Sequence, residues 1–121
     1  MHEKDKNICM EIILHACDIS NPFKPFEIYY EWTDRVLKEF WLQGDQERKL
    51  NLPISYLMDR FTVNTAKSQI GFIDVIVQPC FEVIKAFLPE LQGFIGNLDA
   101  NKIRWKGKIE EYDELLGKTN I

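Results

Sequence analysis

The chain has 121 residues, of which 45% are hydrophobic and 28% are charged, as is typical of one soluble globular domain. Its formal net charge of −4 argues against a nucleic-acid partner, because nucleic-acid binders carry a basic patch or stripe. No apolar run approaches the roughly 20 residues that are needed to cross a bilayer, so we expect no transmembrane segment.

The cysteines indicate the redox setting. Cys9, Cys17 and Cys80 form no CxxC pair, which disfavours both a disulfide scaffold and a cysteine-rich zinc site. Residues 1–7 lack the apolar stretch of a signal peptide. We therefore expect an intracellular, cytoplasmic protein, with attachment to a membrane through other regions left open.

Apolar residues recur at helical spacing throughout, and no segment alternates with period two for long enough to be a strand. We predict an all-α protein, a helical bundle. A first helix is expected from about Asn7 to Cys17, ended by Pro22, which disfavours helical geometry in the residue before it. A second is expected from about Phe26 to Gln43, with an interruption at Gly44–Asp45 and a short charged helix after it.

The second half of the chain begins with an irregular linker, residues 51–64. A long helix is expected over 65–87, where Pro79 should produce a kink because it removes one backbone hydrogen bond. Pro89 opens a short helix that Gly96 is expected to end. A final charged helix follows, to about residue 117.

His15 and Asp18 are three residues apart near the end of the first helix, so they share a helical face. Both residue types bind metal ions. Spacing alone favours the other interpretation, a structural histidine and a carboxylate that forms a turn before Ser-Asn-Pro. A catalytic zinc needs three protein ligands, and His2 is the only other histidine.

Gln69 lies on one helical face with Phe72 and Ile73. A buried amide needs partners, because leaving it unpaired costs about 1–3 kcal/mol. Its donor and acceptor lie in one plane, which suits the polar edge of a flat heterocycle, with Phe72 stacked on the ring. The alternative is a hydrogen bond between helices.

The helix over 26–41 is unusually aromatic, and its apolar arc is wide enough to be covered on more than one side. The arc is read either as core or as the wall of a pocket with Thr33 as its polar point. The pocket-wall residues would be Tyr29, Trp32, Thr33, Val36 and Phe40.

Several motifs in order resemble the class I cyclic-nucleotide phosphodiesterases, over about residues 8 to 88. The motifs are His15-Ala16-Cys17-Asp18-Ile19-Ser20-Asn21-Pro22, Trp32-Thr33, Glu39-Phe40, Gln43-Gly44-Asp45, Leu52-Pro53-Ile54-Ser55, Met58-Asp59-Arg60 and Ser68-Gln69-Ile70-Gly71-Phe72-Ile73-Asp74. The resemblance implies part of an all-α catalytic domain that hydrolyses 3′,5′-cyclic nucleotides, cAMP or cGMP, to 5′-nucleoside monophosphates. It also implies a zinc ion and a second divalent metal, magnesium or manganese.

The resemblance further implies roles for individual residues. Asp18 matches a metal ligand, Gln69 matches the glutamine that binds the purine, and Phe72 and Val36 match the two apolar jaws that hold the base. The remaining matches line the nucleotide pocket: Asn21, Tyr29, Trp32, Thr33, Phe40 and Leu57.

In the family that the chain resembles, the other metal ligands and the proton-donating histidine lie upstream of these motifs. We therefore expect the whole chain to be the carboxyl-terminal part of a catalytic domain, with no catalytic residue of its own. The isolated chain is expected to hold no metal tightly, to be inactive, and to associate with the rest of the domain or with itself through exposed apolar surface. The alternative is a non-catalytic helical module that binds nucleotides or proteins.

Overall fold

The computed structural model describes residues 2–119, which contain no strand. Within this part of the chain, no helix combines the length and apolar character that a bilayer-crossing segment requires. The helices are α1 (Glu3–Asp18), α2 (Phe26–Lys49), α3 (Thr65–Phe72), α4 (Gln78–Lys85), α5 (Gln92–Lys106) and α6 (Ile109–Thr119), with 3₁₀ turns at Asn21–Phe23 and Pro89–Leu91 and a π-helical turn at Ile73–Val77. The all-α prediction is confirmed.

Helix α1 starts at Glu3, four residues earlier than the predicted Asn7. Glu3 and Asp5 lie in its first turn, where negative side chains favour the helix dipole. The helix ends at Asp18, and the chain then turns through a 3₁₀ segment that contains Pro22. The predicted break at this proline is confirmed, and it leaves the Asp18 carboxylate at a helix end.

Helix α2 runs without interruption through Gly44, so the predicted break at Gly44–Asp45 is wrong. A Cβ atom at Gly44 would lie 1.9 Å from the carbonyl oxygen of Met58. The glycine therefore marks the point where the following loop touches the helix, not the end of the helix.

Helix α3 begins after Asn64, whose side-chain oxygen accepts a hydrogen bond from the backbone N–H of Lys67 at 3.0 Å. The predicted long helix is divided by the π-helical turn that precedes Pro79. Proline has no N–H to donate, and a wider turn accommodates the missing bond. The predicted disturbance near Pro79 is confirmed.

Helix α5 continues through Gly96, so the predicted stop there is wrong. A glycine inside a helix costs about 1 kcal/mol relative to alanine, which packing elsewhere on α5 outweighs. The break occurs instead at Gly107, after which α6 starts at Ile109. The predicted final helix is therefore two helices.

The core joins α2, α3 and α5. The ring of Trp105 lies 5.2 Å from that of Phe26 and 5.7 Å from that of Tyr29, measured between ring centroids. These contacts fix the buried face of α2. The buried cluster comprises Phe23, Phe26, Tyr29, Ala66, Ile73, Val77, Leu98 and Trp105.

The wide apolar arc of α2 is only partly covered. Phe26, Tyr29 and Leu37 are buried, whereas Trp32 and Val36 are 46% and 38% exposed. Apolar side chains this exposed are available to a ligand or to another polypeptide. Association of the chain through such surface stays a prediction.

Asn101 ties α5 to the turn between α1 and α2. Its side-chain N–H groups donate to the carbonyl oxygens of Pro22 and Lys24, both at 2.8 Å, and the residue is buried. We predict that Asn101→Ala lowers the free energy of unfolding by about 1–3 kcal/mol, because the buried carbonyl of Pro22 and the part-buried carbonyl of Lys24 lose their partner.

Asn97→Ala is the matched control, since Asn97 is exposed and donates to the Phe23 carbonyl at only 3.4 Å. It should change the stability by no more than about 0.5 kcal/mol. Urea denaturation of the protein that contains this chain compares the two, and equal losses would contradict the role of Asn101.

Candidate functional site

A cavity of about 210 Å³ lies where the end of α1, the middle of α2, the loop 51–64 and the end of α3 meet. Its walls are mainly apolar, with a few polar side chains among them, as in most small-molecule sites. The lining residues are Asp18, Ile19, Asn21, Tyr29, Trp32, Thr33, Val36, Leu37, Phe40, Leu57, Ser68, Gln69 and Phe72.

The structure brings all ten residues proposed from the sequence to this one cavity. Asp18 and Gln69, on which the proposal depends most, face the same space although 51 positions separate them. Three lining residues were not proposed: Ile19, Leu37 and Ser68. Leu37 follows Thr33 by one helical turn and Ser68 precedes Gln69, so their positions in the sequence offered a signal for both.

Gln69 is held by a tyrosine on the neighbouring helix. The Tyr29 hydroxyl donates to Oε1 of Gln69 at 2.7 Å. Tyr29 is 1% exposed and Gln69 is half-buried, so the hydrogen bond is shielded from water on the tyrosine side. With its oxygen engaged in this way, Gln69 offers the N–H groups of Nε2 to a ligand.

Burial raises the pKa of the Tyr29 hydroxyl well above its ordinary value. The nearby indole of Trp105 offsets part of this rise. Its buried N–H has no hydrogen-bond partner among residues 2–119. Tyr29 is therefore protonated at neutral pH and has a hydrogen to donate, which in the structure goes to Oε1 of Gln69.

Two further polar groups line the cavity. Oγ1 of Thr33 is buried without a hydrogen-bond partner in the described part of the chain. Asn21 accepts a hydrogen bond from Nζ of Lys24 at 2.7 Å through Oδ1, which leaves its amide nitrogen as a donor. Asn21 and Gln69 thus each leave an amide nitrogen as a donor among apolar walls.

Asp18 is the last residue of α1 and is exposed, so its carboxylate lies at the rim of the cavity. His15, three residues before Asp18, does not line the cavity. It lines a separate shallow depression together with Asp18. Within residues 2–119 no group of three or more His, Cys, Asp or Glu side chains could hold a metal ion. The described residues therefore form no metal site of three or more such side chains.

Comparison with known proteins identifies the family. A family model described as 3′5′-cyclic nucleotide phosphodiesterase matches residues 1–98. The chain belongs to this family. Two relatives from Caenorhabditis elegans are a probable 3′,5′-cyclic-AMP phosphodiesterase, pde-4, 40% identical over 88% of the chain, and a probable 3′,5′-cyclic phosphodiesterase, pde-1, 51% identical over 72%. The mouse 3′,5′-cyclic-AMP phosphodiesterase 4C is 38% identical over 87% of the chain.

Solved phosphodiesterase structures share the fold. The phosphodiesterase domain of the RhoPDE fusion protein of Salpingoeca rosetta superposes over 93% of the chain with a TM-score of 0.82 and 33% identity. LmjPDEB1, solved in complex with IBMX, superposes over 91% with a TM-score of 0.83 and 28% identity. The chain spans 33–36% of these solved chains and 13–16% of the length of the curated relatives.

The raised pKa of Tyr29 makes the stability of this phosphodiesterase chain depend on alkaline pH. A tyrosine whose pKa is higher in the folded state contributes its full share of the free energy of unfolding below its unfolded pKa of about 10. This contribution falls as the pH rises above that value. Between about pH 10 and 11, we predict that the free energy of unfolding falls less steeply with pH in Tyr29→Phe than in the parent. The difference in slope is up to about 1.4 kcal/mol per pH unit.

Denaturant unfolding at a series of pH values measures this difference. Tyr56→Phe is the control, because it removes the hydroxyl of a tyrosine that is 88% exposed. Parallel pH profiles for the parent and Tyr29→Phe would show that the phenol is not held protonated by burial.

Proposed function

We propose that this chain forms the purine-binding part of an enzyme that hydrolyses 3′,5′-cyclic nucleotides to 5′-nucleoside monophosphates. The observation that carries the proposal is the Gln69 amide, held by buried Tyr29 inside a mainly apolar cavity. Membership in the family and relatives named as cyclic-nucleotide phosphodiesterases support it.

The cavity suits a flat base. Val36 on α2 and Phe72 on α3 both line it, and each offers apolar surface to a ring face. Phe40 and Leu57 extend this surface, while Trp32 and Thr33 complete the wall on α2. Apolar walls bind the faces of a purine through area removed from water, and the few polar groups fix its orientation.

The hydrogen bond from Tyr29 supports a preference for cAMP over cGMP. Because Oε1 of Gln69 is engaged, the amide offers the N–H groups of Nε2. Adenine N1 accepts a hydrogen bond, whereas guanine N1 carries a hydrogen and donates. An amide that presents N–H to this ring position pairs with adenine and opposes guanine. Asn21 offers a second donor, which suits the other acceptor nitrogens of adenine.

Asp18 supports the placement of the cyclic phosphate near the rim. We assign it the role of one carboxylate ligand in a metal centre whose remaining ligands lie outside the described residues. Family resemblance implies zinc with magnesium or manganese at that centre. One carboxylate does not hold a metal, so bond cleavage is assigned to no residue of this chain, and its partner in hydrolysis is the remainder of the catalytic domain.

The first functional prediction concerns Gln69. In the phosphodiesterase that contains this chain, Gln69→Ala removes the directional contact to the base, and kcat/KM for cAMP should fall about 10- to 100-fold. Gln92→Ala, at an exposed glutamine at the start of α5, is the control and should match the parent.

Steady-state kinetics and fluorescent cAMP binding together test the proposal. Unchanged kcat/KM in Gln69→Ala would exclude the cavity as the purine site. Binding of cAMP without turnover by the complete protein would instead favour a non-catalytic nucleotide-binding module.

The second functional prediction concerns Tyr29. Tyr29→Phe keeps the ring but removes the hydroxyl that orients Gln69, so the amide becomes free to present either edge. The ratio of kcat/KM for cAMP to that for cGMP should fall about tenfold, the equivalent of about 1.4 kcal/mol. The ratio is measured on the same phosphodiesterase with both substrates. An unchanged ratio would mean that another group fixes the amide.

A further inference from the structure

The loop between α2 and α3 supplies Leu57, a wall residue of the cavity that no helix holds in place. Its backbone has a φ of 65°, a left-handed conformation that a branched side chain seldom adopts. Such a conformation persists only where the surroundings enforce it. The contacts that enforce it here are therefore contacts that shape the cavity.

An ion pair holds the loop three residues after Leu57. Arg60 donates to both carboxylate oxygens of Asp45 on α2, from Nε at 3.0 Å and from Nη2 at 2.5 Å. The two side chains are 36% and 34% exposed. The guanidinium also lies 5.9 Å from the ring centroid of Trp41. A two-point contact of this kind fixes direction as well as distance.

A second tie holds the loop two residues before Leu57. Glu47 on α2 accepts hydrogen bonds from the backbone N–H and from the hydroxyl of Ser55, both at 2.7 Å. Nε2 of Gln43 donates to the same carboxylate at 3.0 Å. Leu57 is thus bracketed by anchors on both sides that all reach back to one helix.

The third tie is a close backbone contact. A Cβ atom at Gly44 would lie only 1.9 Å from the carbonyl oxygen of Met58. Only glycine allows this approach, so the residue next to Leu57 rests directly on α2. Arg48 adds an ion pair with Asp59 at 2.8 Å.

We propose that the pair Asp45–Arg60, outside the cavity, positions Leu57 and thereby sets the affinity of the cavity for the nucleotide base. Neither residue lines the cavity, so both act through the loop. The inference rests on the proposed function, because the ligand is taken to be a cyclic nucleotide. It adds positioning residues to those that contact the base.

The test compares variants of the phosphodiesterase that contains this chain. Arg60→Ala should raise KM for cAMP about three- to fivefold at unchanged kcat, the range that a partly exposed ion pair allows. Losing an interaction equal in ground and transition states raises KM alone. Leu57→Ala should do the same. Arg60→Lys keeps the charge but loses the two-point contact, and its KM should lie between those of Arg60→Ala and the parent.

A charge exchange separates positioning from a general loss of stability. The double variant Asp45→Arg with Arg60→Asp restores the pair in reverse, and it should recover most of the parent KM, whereas each single charge reversal should raise it. Lys38→Ala is the control, since Lys38 pairs with Asp34 on the same helix without reaching the loop. Its KM should equal that of the parent.

The outcomes distinguish this inference from the proposed function. If Leu57→Ala and Gln69→Ala raise KM but Arg60→Ala and Arg60→Lys do not, the ion pair does not position the wall. A fall in kcat that the charge exchange fails to restore also overturns the inference. If neither Gln69→Ala nor Leu57→Ala changes KM, the cavity is not the nucleotide site, and the proposed function itself fails.

Discussion

The hydrogen bond from Tyr29 to Gln69 is the constraint on which the site depends. It joins two helices through residues 40 positions apart, and the core buries its tyrosine end. Burial keeps the phenol protonated, so it has a hydrogen to donate, and the bond runs from its hydroxyl to Oε1 of Gln69. An amide in water turns freely, whereas this one presents a defined edge to the cavity. The proposed recognition of the base follows from that single orientation.

This orientation is supported from a distance. Trp105 on α5 packs against the Tyr29 ring, and α5 is itself tied to the turn before α2 by Asn101. Neither residue lines the cavity, yet both hold the helices that do. A binding site built on packed helices keeps its geometry because each side chain has few alternative rotamers.

The loop after α2 is held in position by polar contacts and one close backbone contact. It lacks regular backbone hydrogen bonding, so a bidentate ion pair, a carboxylate that accepts from Ser55 and a glycine contact hold it to α2. Directional polar contacts at the rim thus place an apolar side chain, Leu57, inside. The cavity walls are mainly apolar, but the contacts that hold this loop in place are mostly polar.

Helical periodicity in the sequence established the all-α class, since apolar residues recur with the period of a helix. The resemblance of its motifs to the cyclic-nucleotide phosphodiesterases identified ten residues that line one cavity. The tertiary structure shows what the glycines do: Gly44 stays within a helix at the point where the Met58 carbonyl contacts it, and Gly96 lies inside α5. It also decided the edge that Gln69 presents, and the left-handed backbone of Leu57. Each depends on contacts between segments remote in sequence, which periodicity and motif spacing do not encode.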